Sequence, residues 1–113
     1  MSNRKAEKTD VLQGTLDLMI LQTLASLGPS HGYTIAARLE QISSGALRLN
    51  MGTLYPALMR AEQRGFVSAE WDVTDNNRKA RFYRISAAGR RQLAAEKEEW
   101  DRMVSIMQAV LRG

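Results

Sequence analysis

Four cations fall within seven residues near the middle of the chain, Arg78, Lys79, Arg81 and Arg84, with no acid among them. Side chains of this kind neutralise phosphates and release the counterions bound to them, which suits a nucleic-acid backbone. A solvated hairpin tip would carry the same residues. A second group lies in the stretch NMGTLYPALMRAEQRG, residues 50–65. At about 100° per residue, Met51, Leu54, Leu58 and Ala61 gather on one side of a helix. Gly52, Pro56, Arg60 and Gln63 lie opposite, with Thr53 and Tyr55 on the shoulders. Hydroxyl, amide and guanidinium groups on one exposed face are the chemistry of phosphate and base-edge contact. They are also compatible with a helix face that only meets water.

Other chemistries find little support. The 113 residues hold one histidine and no cysteine, so thiolate nucleophiles, thiolate metal sites and disulfides are excluded. No G-x-S-x-G motif and no phosphate-cradling glycine loop is present. Glu96, Glu98, Glu99 and Asp101 alternate with Lys97 and Arg102 and read as a solvated helix face. His31, beside Gly32, fits a structural hydrogen bond better than a ligand or proton sensor. The residues suggest no enzyme, metal or cofactor.

The elements that must position these groups follow from periodicity. Residues 11–27 predict a first helix after a polar tail over 1–10, capped by Thr9 or Asp10 and ended by Gly28-Pro29. Ser30 predicts the cap of a second helix over about 31–43, in which Ile35, Leu39 and Ile42 share a face and Gly45 ends the run. Asn50 predicts the cap of the third helix, which closes at Gly65. Val67, Ala69, Trp71 and Val73 alternate with polar residues, and Tyr83 and Ile85 share a face, so strands over 66–73 and 81–85 are expected. Asp75-Asn76-Asn77 between them tolerates positive φ and predicts a hairpin turn. Ser86 then predicts the cap of a last helix over about 87–112.

Helix, helix, helix, hairpin, helix is the order of a winged helix-turn-helix, a mainly α (α+β) fold. Its third helix enters the DNA major groove and its hairpin tip reaches the backbone nearby. The winged domain would span 11–86 and a dimerisation helix 87–113. That helix, nearly 40 Å at about 1.5 Å per residue, outruns so small a core. Its apolar stripe of Leu93, Trp100, Met103, Val104, Met107, Val110 and Leu111 keeps a seven-residue rhythm and predicts a homodimer. The net charge of +4 agrees with a nucleic-acid partner without requiring one. The longest apolar runs fall far short of the roughly 18 residues of a membrane span. With no signal peptide evident, a cytoplasmic protein is expected.

Three segments together resemble one family. GTLYPAL followed by RAEQRGFV, GPSHGYTIAARLE, and RKARFYRISAAGRRQL are similar, in order and spacing, to PadR transcriptional regulators of the short branch with a single C-terminal helix. The resemblance runs from about Leu12 to Leu111, with Ala61 standing where relatives often carry leucine. It implies a dimeric winged-helix protein, usually a repressor, on an inverted-repeat operator in double-stranded DNA. Gly52, Thr53, Leu54, Tyr55 and Pro56 match the family's groove-facing segment, with Tyr55 implied on a phosphate and Leu54 and Leu58 on the core. Asn77, Arg78, Lys79 and Arg81 match the wing. Some members admit flat aromatic molecules beside the C-terminal helices. Trp100, with Met103 and Met107, is therefore either interface core or a stacking platform for a small planar aromatic effector. The competing reading is a small-molecule-sensing or protein-interaction dimer whose basic face is incidental.

Overall fold

The computed structural model describes residues 4–113, with side chains from Gly14 onward. The first helix, α1, runs Arg4–Leu27. It begins among Arg4, Lys5 and Ala6, good helix formers, earlier than the apolar stripe indicates. Thr9 and Asp10, expected to cap it, fall inside the helix instead. Leu16, Ile20, Leu21 and Leu24 are buried, and the Thr23 hydroxyl donates to the Met19 carbonyl at 2.7 Å, which satisfies a buried polar group. Gly28, at φ 82°, ends the helix.

Ser30 does not cap the second helix. Ser30–His31 forms a short strand, β1, paired with a later strand through Ser30↔Tyr83 and His31↔Phe82. Extended backbone turns the Ser30 hydroxyl back to the Gly28 carbonyl, to which it donates at 2.9 Å. The helix that follows, α2 (Gly32–Ile42), has His31 at its cap position with no side-chain cap bond. Ile35 and Leu39 are buried, whereas Ile42 at the last turn is exposed. Ser44 and Gly45 both take positive φ. Gly45 N–H donates to the Glu40 carbonyl and Ser44 N–H to that of Gln41, the paired bonds of a Schellman ending.

Helix α3 is Met51–Gln63, capped as expected: the Asn50 side chain accepts from Thr53 N–H at 2.9 Å. Leu54, Ala57 and Leu58 are buried beneath it. Strands β2 (Val67–Val73) and β3 (Lys79–Ile85) then form an antiparallel hairpin, and the sheet order is β1-β3-β2. Val67, Tyr83 and Ile85 enter the core. Trp71, at 67% exposed, and Val73 do not, because the hairpin projects beyond the helices. At its tip Thr74 N–H donates to the Arg78 carbonyl and Asn77 N–H to that of Thr74. Asn77 takes φ 60°, the left-handed residue that closes a three-residue hairpin loop.

The last helix, α4 (Ala87–Arg112), starts at Ser86, whose hydroxyl oxygen accepts from Gly89 N–H at 3.0 Å. Gly89 is buried against the turn between α3 and β2, where a Cβ would run into the Phe66 carbonyl oxygen and lie 2.8 Å from Ile85 Cγ1. One core of α1, α2, α3, sheet and the start of α4 results, with Leu93 its outermost member on α4. The remaining turns of α4 leave it, and the molecule measures 55 × 36 × 26 Å. This is a winged helix carrying an overhanging C-terminal helix.

Candidate nucleic-acid interface

Helix α3 buries one side, so its other side is fixed in space by the core. Gly52, Tyr55, Pro56, Met59 and Gln63 are exposed along that side, and Thr53 is half-buried at its edge. The spacing 52, 55/56, 59, 63 is a single line along a helix. Met59, 53% exposed, stands in the middle of it, and a reading by polarity passes it over. Its place on the line through Gly52, Pro56 and Gln63 is legible from helical spacing alone.

Two expected members are turned elsewhere. Arg60 is half-buried and its Nη2 lies 3.3 Å from the Asp17 carboxylate on α1. It sits at the flank of α3, where the nearest acid captures it. Arg81 extends from β3 to Glu62 on α3, with Nη2 2.9 Å from Oε2 and Nη1 3.1 Å from Oε1. Such a fork-to-carboxylate pair fixes direction as well as distance. Both pairs are partly solvated, so each contributes only about 0.5 kcal/mol to stability. Their larger effect is geometric, locking α3 to α1 on one side and to the hairpin on the other.

The hairpin tip keeps its free cations. Asn77, Arg78 and Lys79 are exposed, and among the described residues neither Arg78 nor Lys79 pairs with an acid. Tyr55 leans from α3 over the first turn of α2. A Cβ on Gly32 would sit 3.1 Å from the Tyr55 hydroxyl and from its Cε1, so a side chain there would press the ring outward by a few tenths of an ångström. His31 packs edge-on against Phe82 at 5.3 Å and its Nε2 is 3.1 Å from the Thr34 hydroxyl, a structural role as expected. Burial raises the Tyr83 phenol above its ordinary pKa, and the neighbouring Arg81 opposes the rise.

The stripe expected on α4 divides. Leu93, only 8% exposed, belongs to the chain's own core because the first turns of α4 lie over α1. Trp100, Met103, Met107, Val110 and Leu111 are exposed, as is Ile106, and Val104 is half-buried. Among the described residues no cluster of three His, Asp or Glu side chains suits a metal ion. No described helix is long and apolar enough to cross a membrane.

Known proteins share this geometry. Residues 20–95 match the model of the transcriptional regulator PadR-like family. A transcriptional regulator from Clostridium thermocellum superposes with a TM-score of 0.78 at 26% identity, over 88% of this chain and 92% of that one. A PadR family transcriptional regulator from Eggerthella lenta gives 0.78 at 24% identity, over 95% and 90%. A PadR-like transcriptional regulator from Bacillus cereus gives 0.77 at 22% identity, over 92% and 98%.

Proposed function

The chain belongs to the PadR-like family of transcriptional regulators, and from that membership we propose a specific mode of action. Two copies, joined through α4, set two α3 helices into successive major grooves of an inverted-repeat operator and repress the gene downstream. The observation that carries this reading is the exposed line on α3 together with a cationic hairpin tip that pairs with no acid among the described residues. Such a pairing joins base contact to phosphate contact. Gly52 removes a Cβ where backbone would approach DNA closely, and the start of α3 offers N–H groups to phosphate. Thr53 and Tyr55 flank that approach, with Gln63 at its far end. Asn77, Arg78 and Lys79 take the backbone beyond the groove. Arg60 and Arg81 act in this scheme by holding α3 and the wing in register.

The dimer rests on the overhanging turns of α4, whose exposed apolar residues find no cover in their own protomer. Trp100, with Met103 and Met107 on the following turns of α4, is the side chain on which a small planar aromatic effector would stack at that junction. The test is selection of bound fragments from random double-stranded DNA at two salt concentrations. Recovery of an inverted repeat, with half-sites about one helical turn apart, supports the reading. Fragments without symmetry would refute the paired-helix mode.

A further inference from the structure

The two arginine–carboxylate pairs decide what α3 can offer to a base pair. Arg60 is taken by Asp17, and the Glu62 carboxylate is taken by Arg81. The exposed line of Gly52, Tyr55, Pro56, Met59 and Gln63 therefore carries no formal charge. Guanine is commonly read by an arginine or lysine that bonds its O6 and N7 together, and this line holds neither. At its centre stands Met59, unbranched, polarisable and 53% exposed. Pro56, three residues earlier on the same line, is exposed as well. Two neighbouring apolar groups thus face outward on a helix that buries Leu54, Ala57 and Leu58 on its other side. In the major groove the apolar group that base edges present is the C5 methyl of thymine.

We propose that Met59, with Pro56 beside it, packs against thymine methyl groups and so selects A·T pairs in the middle of each half-site. The assignment rests on the reading of α3 as the helix in the groove. It adds a specificity residue that polarity does not disclose, since the contact needs neither a hydrogen bond nor a charge.

Deoxyuridine differs from thymidine in this respect by the methyl alone, which makes it the probe. Fragments recovered from random double-stranded DNA by the full-length protein are resynthesised with each thymine of the common sequence replaced in turn. At one or two positions per half-site the replacement is expected to weaken wild-type binding by about fourfold per methyl. Met59→Ala should bind the thymine fragment with a similar loss and show no further loss on the uracil fragment. Equal losses in the two proteins, or no loss at any thymine, overturn the assignment to Met59. Met59→Glu separates this from the wider reading, because a carboxylate pressed into the groove should cost more than about tenfold. A Met59→Glu protein that binds like wild type overturns the placement of α3 in the groove. Lost binding in that variant, together with methyl-insensitive thymines, overturns the methyl contact alone.

Discussion

Arg81 on β3 and Glu62 on α3 meet through two parallel bonds of 2.9 and 3.1 Å, which tie the hairpin to the helix it flanks. An arginine so engaged positions the wing, while Arg78 and Lys79 pair with no acid among the described residues. Arg81→Ala and Glu62→Ala should each cost about 0.5 kcal/mol in urea unfolding. The double variant should cost no more than either single one, because the pair is lost once. DNA titrations at several salt concentrations separate the roles. Arg78→Ala with Lys79→Ala should flatten the salt slope by about 0.9 per lost phosphate contact. Glu62→Ala should weaken binding at every salt concentration with the slope kept.

Pro56 sits just beyond the first turn of α3. The helical ladder begins with Leu54 N–H on the Asn50 carbonyl at 3.1 Å, so a residue at 56 would ordinarily donate to Gly52. Proline has no N–H to give, and α3 lacks that rung on its exposed side. Pro56→Ala is expected to raise stability by about 1 kcal/mol or more in thermal unfolding. Operator affinity should fall at the same time. A variant that gains stability and keeps full affinity would show that the proline has no part in DNA contact.

Local signals in the chain mark the element ends well. Asn50, Ser86, Gly28 and Gly65 act within a few residues of themselves, and each stands where its chemistry places it. Strand β1 is different: two residues become a strand only because Tyr83 and Phe82 arrive beside them, and nothing local announces it. The fates of Arg60 and Arg81 are equally non-local, since Asp17 lies 43 positions from Arg60 and Glu62 lies 19 from Arg81. A helical wheel gives the side on which a residue stands but not the acid waiting there. Leu93 shows the converse, an unbroken stripe on α4 of which only the beginning reaches its own core.

Gly89 and Gly14 make a matched pair of tests. A Cβ at Gly89 would strike the Phe66 carbonyl oxygen, which already accepts from Ser86 N–H at 2.9 Å and holds the start of α4 in place. The Phe66 backbone and the buried Ile85 side chain leave no soft direction for relief, so Gly89→Ala should lose about 3 kcal/mol. Gly14 is exposed on α1, and a Cβ added there would meet nothing within 4 Å. At that position alanine should add roughly 1 kcal/mol through helix propensity. Chemical denaturation of the two variants decides both.

Burial raises the Glu96 carboxyl above its ordinary value of 4.5, with Asp17 and Glu99 adding to the rise and Gln92 and Arg64 opposing it. The folded chain therefore holds this proton at a pH where the unfolded chain has released it, and stability falls as pH rises through that interval. At neutral pH the ionised group is a cost. Glu96→Gln should raise the melting temperature at pH 7, and the gain should shrink on acidification toward about pH 4. A gain that stays constant across this range would place its origin outside the carboxyl's titration.

The exposed turns of α4 make the dimer the most exacting prediction. Trp100 and Met107, each 49% exposed and one heptad apart, lie along the same stripe as Met103, Val110 and Leu111, and Leu111 is 79% exposed. An exposed apolar stripe of this kind is the surface a second copy would cover. Met107→Asp should leave the protomer folded and raise the dimer dissociation constant by more than about tenfold, since a carboxylate would be buried without a partner. Sedimentation equilibrium reads this directly. Binding to an inverted repeat should then fall toward that of a single half-site. Leu93→Ala supplies the contrast, because Leu93 belongs to the core of its own protomer. It should lose about 2–3 kcal/mol of stability while the folded fraction keeps its dimer constant. The opposite pattern, with Leu93→Ala splitting the dimer and Met107→Asp leaving it whole, would move the interface to the start of α4.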